Sequence, residues 1–326
     1  MKTLDKAYKY SDICLVPNYS EVHSRADCDT FCELGERAFK LPIIPANMKS
    51  VINMRLAKWM SQNDYFYIMH RFGNHLADDV GLANSEDWKT ISFSVGVKMP
   101  DKIHVMNIAK AKNIRVDFLT IDIAHGHCSR MKMMIEHIKK WLPDTKIIAG
   151  NVTTPTAVRD LASWGADIVK VGIGQGSPCT TKDKTGFTMP MFSCTTWCSN
   201  VFQDESSAKP IPIIADGGIK CNGDIAKAIV AGASMVMAGG LFAACTDSPA
   251  VSSIVNDVPH KAYFGSASAE NKGHNNNIEG KLTNIISNGM TYESKLNEIK
   301  QDIQSAISYS GGDDLSYLKN ADYFET

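Results

Sequence analysis

The sequence predicts an α/β fold, a (β/α)8 TIM barrel, as one domain over residues 1–326. Three observations predict it. Eight short apolar runs recur at fairly even spacing, helix signals fall between them, and glycine and polar residues collect just behind the runs. The runs cover residues 41–46, 65–70, 91–97, 118–124, 146–152, 168–174, 212–216 and 235–240. They lack polar alternation, so each reads as a strand buried on both faces, as in a parallel sheet.

The intervening helices carry their own punctuation. Thr154-Pro155 supplies a capping hydroxyl and a proline at the first helical position, and Gly165 stops that helix. Asn222 is expected to cap another, which ends at Gly232. The exits WGADIVKVGIG and AGASMVMAGG repeat one order: helix, Gly-Ala, strand, glycine-rich loop. The interval from Ile168 to Pro212 is longer than one βα unit, and long loops in compact domains often carry function. Behind the eighth run, residues 265–281 are too polar to pack and read as a surface flap, with disorder expected at the Asn275 to Asn277 tip. A last helix places Leu296, Ile299, Ile303 and Ile307 on one face and ends before Gly311-Gly312.

Composition narrows the function classes. The chain is 44% hydrophobic and 21% charged with a formal net charge of -1, which leaves no electrostatic footprint for nucleic acid. No stretch is apolar and long enough to cross a bilayer, and the N-terminus has no secretory core. Nine scattered cysteines suit a reducing, cytoplasmic setting. Cys28/Cys32 and Cys194/Cys198 have no histidine at ligand spacing, so zinc is not expected.

Barrel sites lie at the C-terminal ends of the strands, so the residues behind each run belong together. They include Asn47, Arg71, Asp122, His125 and Asn151. Behind the seventh and eighth runs, Gly217, Gly218, Gly239 and Gly240 let backbone N–H groups approach an anion, and Ser177 adds a hydroxyl. Asp216 repels a phosphate and suits a ribose diol. Phosphate and ribose together point to a nucleoside monophosphate. Taken one at a time these glycines are ordinary turn residues; as a set they favour a ligand.

The stretch VGIGQGSPCTTKDKTG, residues 171–186, is a poor dinucleotide fingerprint, because its spacing is wrong and no helix follows at once. Its glycines suit a tight loop whose carbonyls, at Gly174, Gly176 and Cys179, can hold a monovalent cation, with potassium the candidate. Cys179 sits at the barrel mouth behind glycines and a proline, beside two hydroxyls, which favours a nucleophile. The other eight cysteines are assigned to packing. Thr181 can relay a proton, and Glu279 joins it only if the flap folds over the mouth.

GIGQGSPCTT, IADGG, MAGG and IEGK, in that order, resemble the IMP dehydrogenase/GMP reductase family. YSDICLVPN, SRADCD, LPIIPANM, MHRF and IDIAHGH fit it too, so the likeness runs from residue 10 to residue 312. Only about 20 residues separate Arg71 from Ile91, the length of one crossover helix, so no regulatory module is inserted there. Residues 266–278 lack the Arg-Tyr pair with which the dehydrogenases activate water, so the chain is similar to the reductive branch. The resemblance implies an NADPH-dependent oxidoreductase that deaminates GMP to IMP and ammonia through a Cys179 thioimidate, in purine salvage. It implies base contacts at Ser266, Ser268, Glu279 and Gly280, and cofactor contacts at Asp122, Ala124 and Arg71. It further implies a homotetramer in which Ser24, Arg25, Ser308, Tyr309 and Gly311 reach the cofactor of a neighbouring subunit. Gln175 stands where proline is common, Pro178 precedes the cysteine, and Arg71 stands where many members have lysine. Two alternatives stand beside this reading: oxidation of IMP, and an inactive barrel that binds a purine nucleotide.

Overall fold

The computed structural model describes residues 6–73, 75–111, 114–202 and 210–326. Residues 1–5 of the N-terminal stretch, and 203–209 of the long interval before the seventh run, lie outside the described residues. Seven strands form one parallel, curled sheet in the order Ile43–Pro45, Met235–Ala238, Ile213–Asp216, Ile168–Val171, Lys146–Val152, Phe118–Asp122 and Ser92–Val95. All seven coincide with predicted runs. Ile43, Ile44, Val236, Ile214 and Val169 are fully buried, as strands covered on both faces require.

The second run, 65–70, differs from expectation. It has no strand ladder, although Phe66, Tyr67 and Ile68 are buried. Asp64 O accepts from Lys40 N at 2.9 Å on one side, and Met69 N donates to Ser92 O at 3.0 Å on the other. Side chains hold the segment in place of a ladder. Phe66 packs at 4.9 Å from both Phe39 and Phe118, and the Tyr67 hydroxyl donates to Thr90 O at 2.8 Å.

Helix punctuation is mostly as read. Thr154 caps Pro155–Ser163 by accepting from Ala157 N at 3.2 Å, and Gly165 follows at φ +107°. For Asn222–Val230 the cap is Cys221, not Asn222, because Asp224 in the first turn reaches back to accept from Cys221 N at 3.3 Å and Lys220 N at 2.9 Å and fixes the chain entry there. Leu296, Ile299, Ile303 and Ile307 are buried on the helix Tyr292–Tyr309. That helix is not the last, since Leu315–Lys319 follows it, and Tyr323–Glu325 pairs antiparallel with Ile13–Leu15. The hairpin Cys32–Leu34 with Arg37–Phe39 was also unforeseen.

The largest addition is a three-stranded antiparallel sheet of Ser252–Val255, Val258–Phe264 and Leu282–Ile286. Phe264 pairs with Leu282, so the polar segment 265–281 is the whole connection between two paired strands. Within it lie the short helix Ala269–Lys272 and a turn over the asparagine tip. Among the described residues, no helix is long and apolar enough to cross a membrane.

Candidate active site

The strand Ile168–Val171 delivers the thiol loop to the mouth of the sheet. Gly172 takes φ +124°, and a Cβ there would lie 2.2 Å from Asp216 O, so only glycine lets the two strand ends approach. Cys179 N donates to Gly176 O at 3.0 Å, which turns the chain and presents the thiol. Its Sγ donates to Thr181 Oγ1 at 3.2 Å. Thr181, at the start of the helix Thr181–Thr185, donates in turn to Glu279 Oε2 at 2.7 Å.

Glu279 arrives because the flap is stitched to the thiol loop through its backbone. Thr180 N donates to Glu279 O at 2.9 Å, Lys281 N donates to Pro178 O at 2.9 Å, and Cys179 and Gly280 face each other in an antiparallel bridge. Lys184 Nζ donates to Ile278 O at 2.5 Å from below. A Cβ at Gly280 would lie 2.8 Å from Ser268 N, so this crossing also needs glycine.

Beside the thiol is a cavity of about 440 Å³. Of the residues singled out in the sequence, Arg71, Asp122, Ala124, Gly174, Gly176, Cys179, Thr181, Asp216, Gly217, Gly239, Ser266 and Glu279 line it, together with Asn47 and Asn151. Ser177, Gly218, Gly240, Ser268 and Gly280 do not. Ser177 is exposed on the rim, whereas Ser268 is buried and caps Ala269–Lys272 by accepting from Asn271 N at 3.4 Å. The remaining five lie apart from the cavity and near one another. Arg25 donates to the Tyr309 hydroxyl at 3.0 Å, Ser24 caps the turn that carries Arg25, and Ser308 and Gly311 flank Tyr309.

Among the lining residues that the sequence reading missed, two stand out. Lys170 is 2% exposed, with Nζ 2.5 Å from Asp216 Oδ2 and 3.1 Å from Asp122 Oδ1. Burial opposes its charge, but the two carboxylates outweigh burial and hold its pKa above the ordinary lysine value. Burial also opposes the charge on Asp122, and there Lys170, then Arg71, outweigh it and hold the carboxyl below its usual range. Arg71 Nε also donates to Asp122 O at 3.1 Å. The signal was a lysine inside an otherwise apolar run. Tyr263, the second, is 3% exposed and lies so close to Gly239 that a Cβ there would fall 2.0 Å from its hydroxyl oxygen. No pattern marked it.

Among the described residues, no three His, Cys, Asp or Glu side chains are grouped to hold a metal ion. The loop instead offers backbone carbonyls. Gly176 O already accepts from Cys179 N, which leaves it one lone pair for a cation.

A family model described as the IMP dehydrogenase / GMP reductase domain matches residues 7–326. The chain belongs to the IMP dehydrogenase/GMP reductase family. A GMP reductase of Staphylococcus saprophyticus subsp. saprophyticus is 48% identical over 318 residues, which cover 98% of this chain and 95% of the relative. A GMP reductase of Staphylococcus aureus strain JH9 is 46% identical over 318 residues, covering 98% of this chain and 96% of the relative. This member of the IMP dehydrogenase/GMP reductase family uses its unusual positions locally. Gln175 Nε2 donates to Thr188 Oγ1 at 2.7 Å, closing the thiol loop on itself, and the carbonyl of Pro178 is the acceptor for the flap.

Proposed function

We propose that the chain is a GMP reductase, which reduces GMP to IMP with release of ammonia. The observation that carries this reading is the hydrogen-bonded line from Cys179 through Thr181 to Glu279 at the wall of the cavity. The thiol proton of Cys179 passes through Thr181 to Glu279 as the sulfur attacks C2 of the guanine ring, forming a C–S bond while the C2=N3 pair moves to N3, from which it returns when the amino group leaves. The C2–N bond then breaks, and the amino group leaves as ammonia with a proton passed from Glu279 through Thr181. An amino group leaves poorly until protonated, so an acid at this place is a chemical need. The product of these steps is a thioimidate on Cys179, which divides one hard substitution into two easier ones. NADPH, when bound, supplies the hydride that C2 requires. The C–S bond then breaks, Cys179 recovers its electron pair, and IMP departs.

In this reading Gly217, Gly218, Gly239, Gly240 and Ser177 seat the phosphate, and Asp216 takes the ribose diol. Ser266 and Glu279 face the base, supported by Ser268 and Gly280, which meet at the flap crossing. Arg71, Asp122 and Ala124, which line the same cavity, would hold the nicotinamide end. Ser24, Arg25, Ser308, Tyr309 and Gly311 would serve the neighbouring subunit of a homotetramer. Carbonyls of Gly174, Gly176 and Cys179 would hold potassium. The setting is cytoplasmic purine salvage, with the whole chain acting as one catalytic domain. The test is to mix protein, GMP and NADPH and assay IMP and ammonia. Cys179→Ala should abolish turnover yet still bind GMP; equal NADPH consumption by variant and wild type refutes the covalent scheme.

A further inference from the structure

The steps above make no use of Lys170. Every other residue of its strand, Ile168–Val171, is apolar and buried, so the lysine sits where an aliphatic residue would cost nothing. A buried ammonium is tolerated only with partners, and it has two.

Those partners stand on different strands of the cavity wall. Asp216 ends the strand Ile213–Asp216 beside the Gly217 loop, and Asp122 ends Phe118–Asp122 beside Ala124. In the sheet, Lys146–Val152 and Ile168–Val171 stand between those two strands. No backbone ladder therefore fixes one carboxylate against the other. Asn151 Nδ2 donates to Asp216 at 2.8 Å and Arg71 donates to the Asp122 carbonyl at 3.1 Å, but each steadies one side only. Lys170 touches both. Tyr10 and Tyr263 also lie within electrostatic reach of Asp216, and burial pushes both phenols up, so they stay neutral.

We propose that Lys170 is a positioning residue that fixes Asp216, on the nucleotide side, and Asp122, on the cofactor side, in one frame, so that one lysine governs the seating of both ligands. This inference rests on the GMP reductase reading. Without Lys170, two carboxylates face each other across the cavity floor with no shared cation. They repel, and both ligand seats shift. The line from Cys179 to Glu279 has its own hydrogen bonds and is left in place.

The experiment compares steady-state kinetics of wild type, Lys170→Met and Lys170→Arg, with GMP and NADPH varied in turn. In Lys170→Met both KM values should rise about tenfold or more, the size of one lost charge-assisted hydrogen bond, while kcat stays within about threefold. Lys170→Arg keeps the charge and can still bridge two carboxylates, so both KM values should stay within about threefold of wild type. A merely structural lysine would lower the folded fraction without this split. If Lys170→Met does not fold, Lys170→Met with Asp122→Asn removes one of the two repelling charges and should fold with a raised KM for GMP. A wild type that oxidises NADPH with GMP, beside a methionine variant with either KM unchanged, overturns the inference alone. So does a double variant with the wild-type KM for GMP. A wild type that consumes no NADPH with GMP overturns the functional reading and the inference together.

Discussion

Replacing Glu279 by glutamine asks whether the flap carboxyl moves a proton or only holds the flap. The structure separates the two roles. The flap is held by the backbone bonds of Thr180 N to Glu279 O at 2.9 Å and Glu279 N to Ala267 O at 3.1 Å, with Lys184 on Ile278 O at 2.5 Å. None of these involves the carboxyl group. That group makes one contact, accepting from Thr181 Oγ1 at 2.7 Å, and a glutamine oxygen can accept there too. What the amide cannot do is release a proton. General acid catalysis is worth roughly 10² to 10⁴ in rate, or about 3–5 kcal/mol of barrier. Weakening one hydrogen bond in the ground state costs only about 1 kcal/mol. With GMP saturating, Glu279→Gln should therefore lose at least about a hundredfold in kcat, while the calorimetric Kd for GMP stays within about threefold. The assay is NADPH absorbance against time, with calorimetry beside it. A kcat within tenfold of wild type would show that the proton takes another route. A loss of GMP affinity equal to the loss of rate would make Glu279 a flap anchor instead.

Two further expectations concern the frame around the site. Asp117 is 7% exposed and accepts from Arg37 at 2.6 Å and from Ile91 N at 2.7 Å, with Arg115 at 3.4 Å. The arginines keep 36% and 47% of their side chains in water, so Asp117→Ala should cost about 2 kcal/mol, below the range for a fully buried pair, and lower the Tm by roughly 3 °C. An unchanged melting curve refutes this. Burial, with Lys49 nearby, pushes the His70 imidazole down to about 4, below its unfolded value of about 6.5. As pH falls the unfolded chain therefore takes up that proton first. Stability from this group is full above about pH 6.5, declines towards about pH 4 and then levels, by at most about 3 kcal/mol. Denaturant unfolding of wild type and His70→Gln at both ends of that window should show a shallower acid loss in the variant, and parallel losses would refute it.

The sequence was legible where physics acts locally. Strands buried on both faces must be continuously apolar, which is why seven of the eight runs coincide with sheet strands. Caps and stops are local as well, so Thr154, Pro155 and Gly165 could be read directly. Residues 65–70 misled because the same apolar pattern serves a strand and a segment held by aromatic packing. The antiparallel sheet escaped because Ser252–Val255 is exposed on both faces and has no alternation to detect. Its turn did leave a trace, since Asn256 and Asp257 both take positive φ, at 49° and 62°, as two-residue hairpin turns require. Lys170 escaped for a different reason. Its worth lies wholly in two carboxylates on other strands, and one charge in an apolar run says nothing of distant partners.

That sheet changes the meaning of the flap. A polar segment joined to the barrel only at its ends would have to be ordered anew with each ligand, at a cost in loop-closure and side-chain entropy. Here the ladder between Val258–Phe264 and Leu282–Ile286 runs up to Phe264 and Leu282, so the ends of 265–281 are fixed by strand pairing. The remaining freedom is removed where Gly280 meets Cys179 and where Lys281 and Glu279 bond the thiol loop. The carboxyl, hydroxyl and thiol are therefore held in line by contacts within the chain itself. A group placed in advance needs no reorganisation when charge develops on the leaving amine, and that is where an enzyme gains most. The folding of the second sheet is thus part of what sets Glu279 beside Thr181.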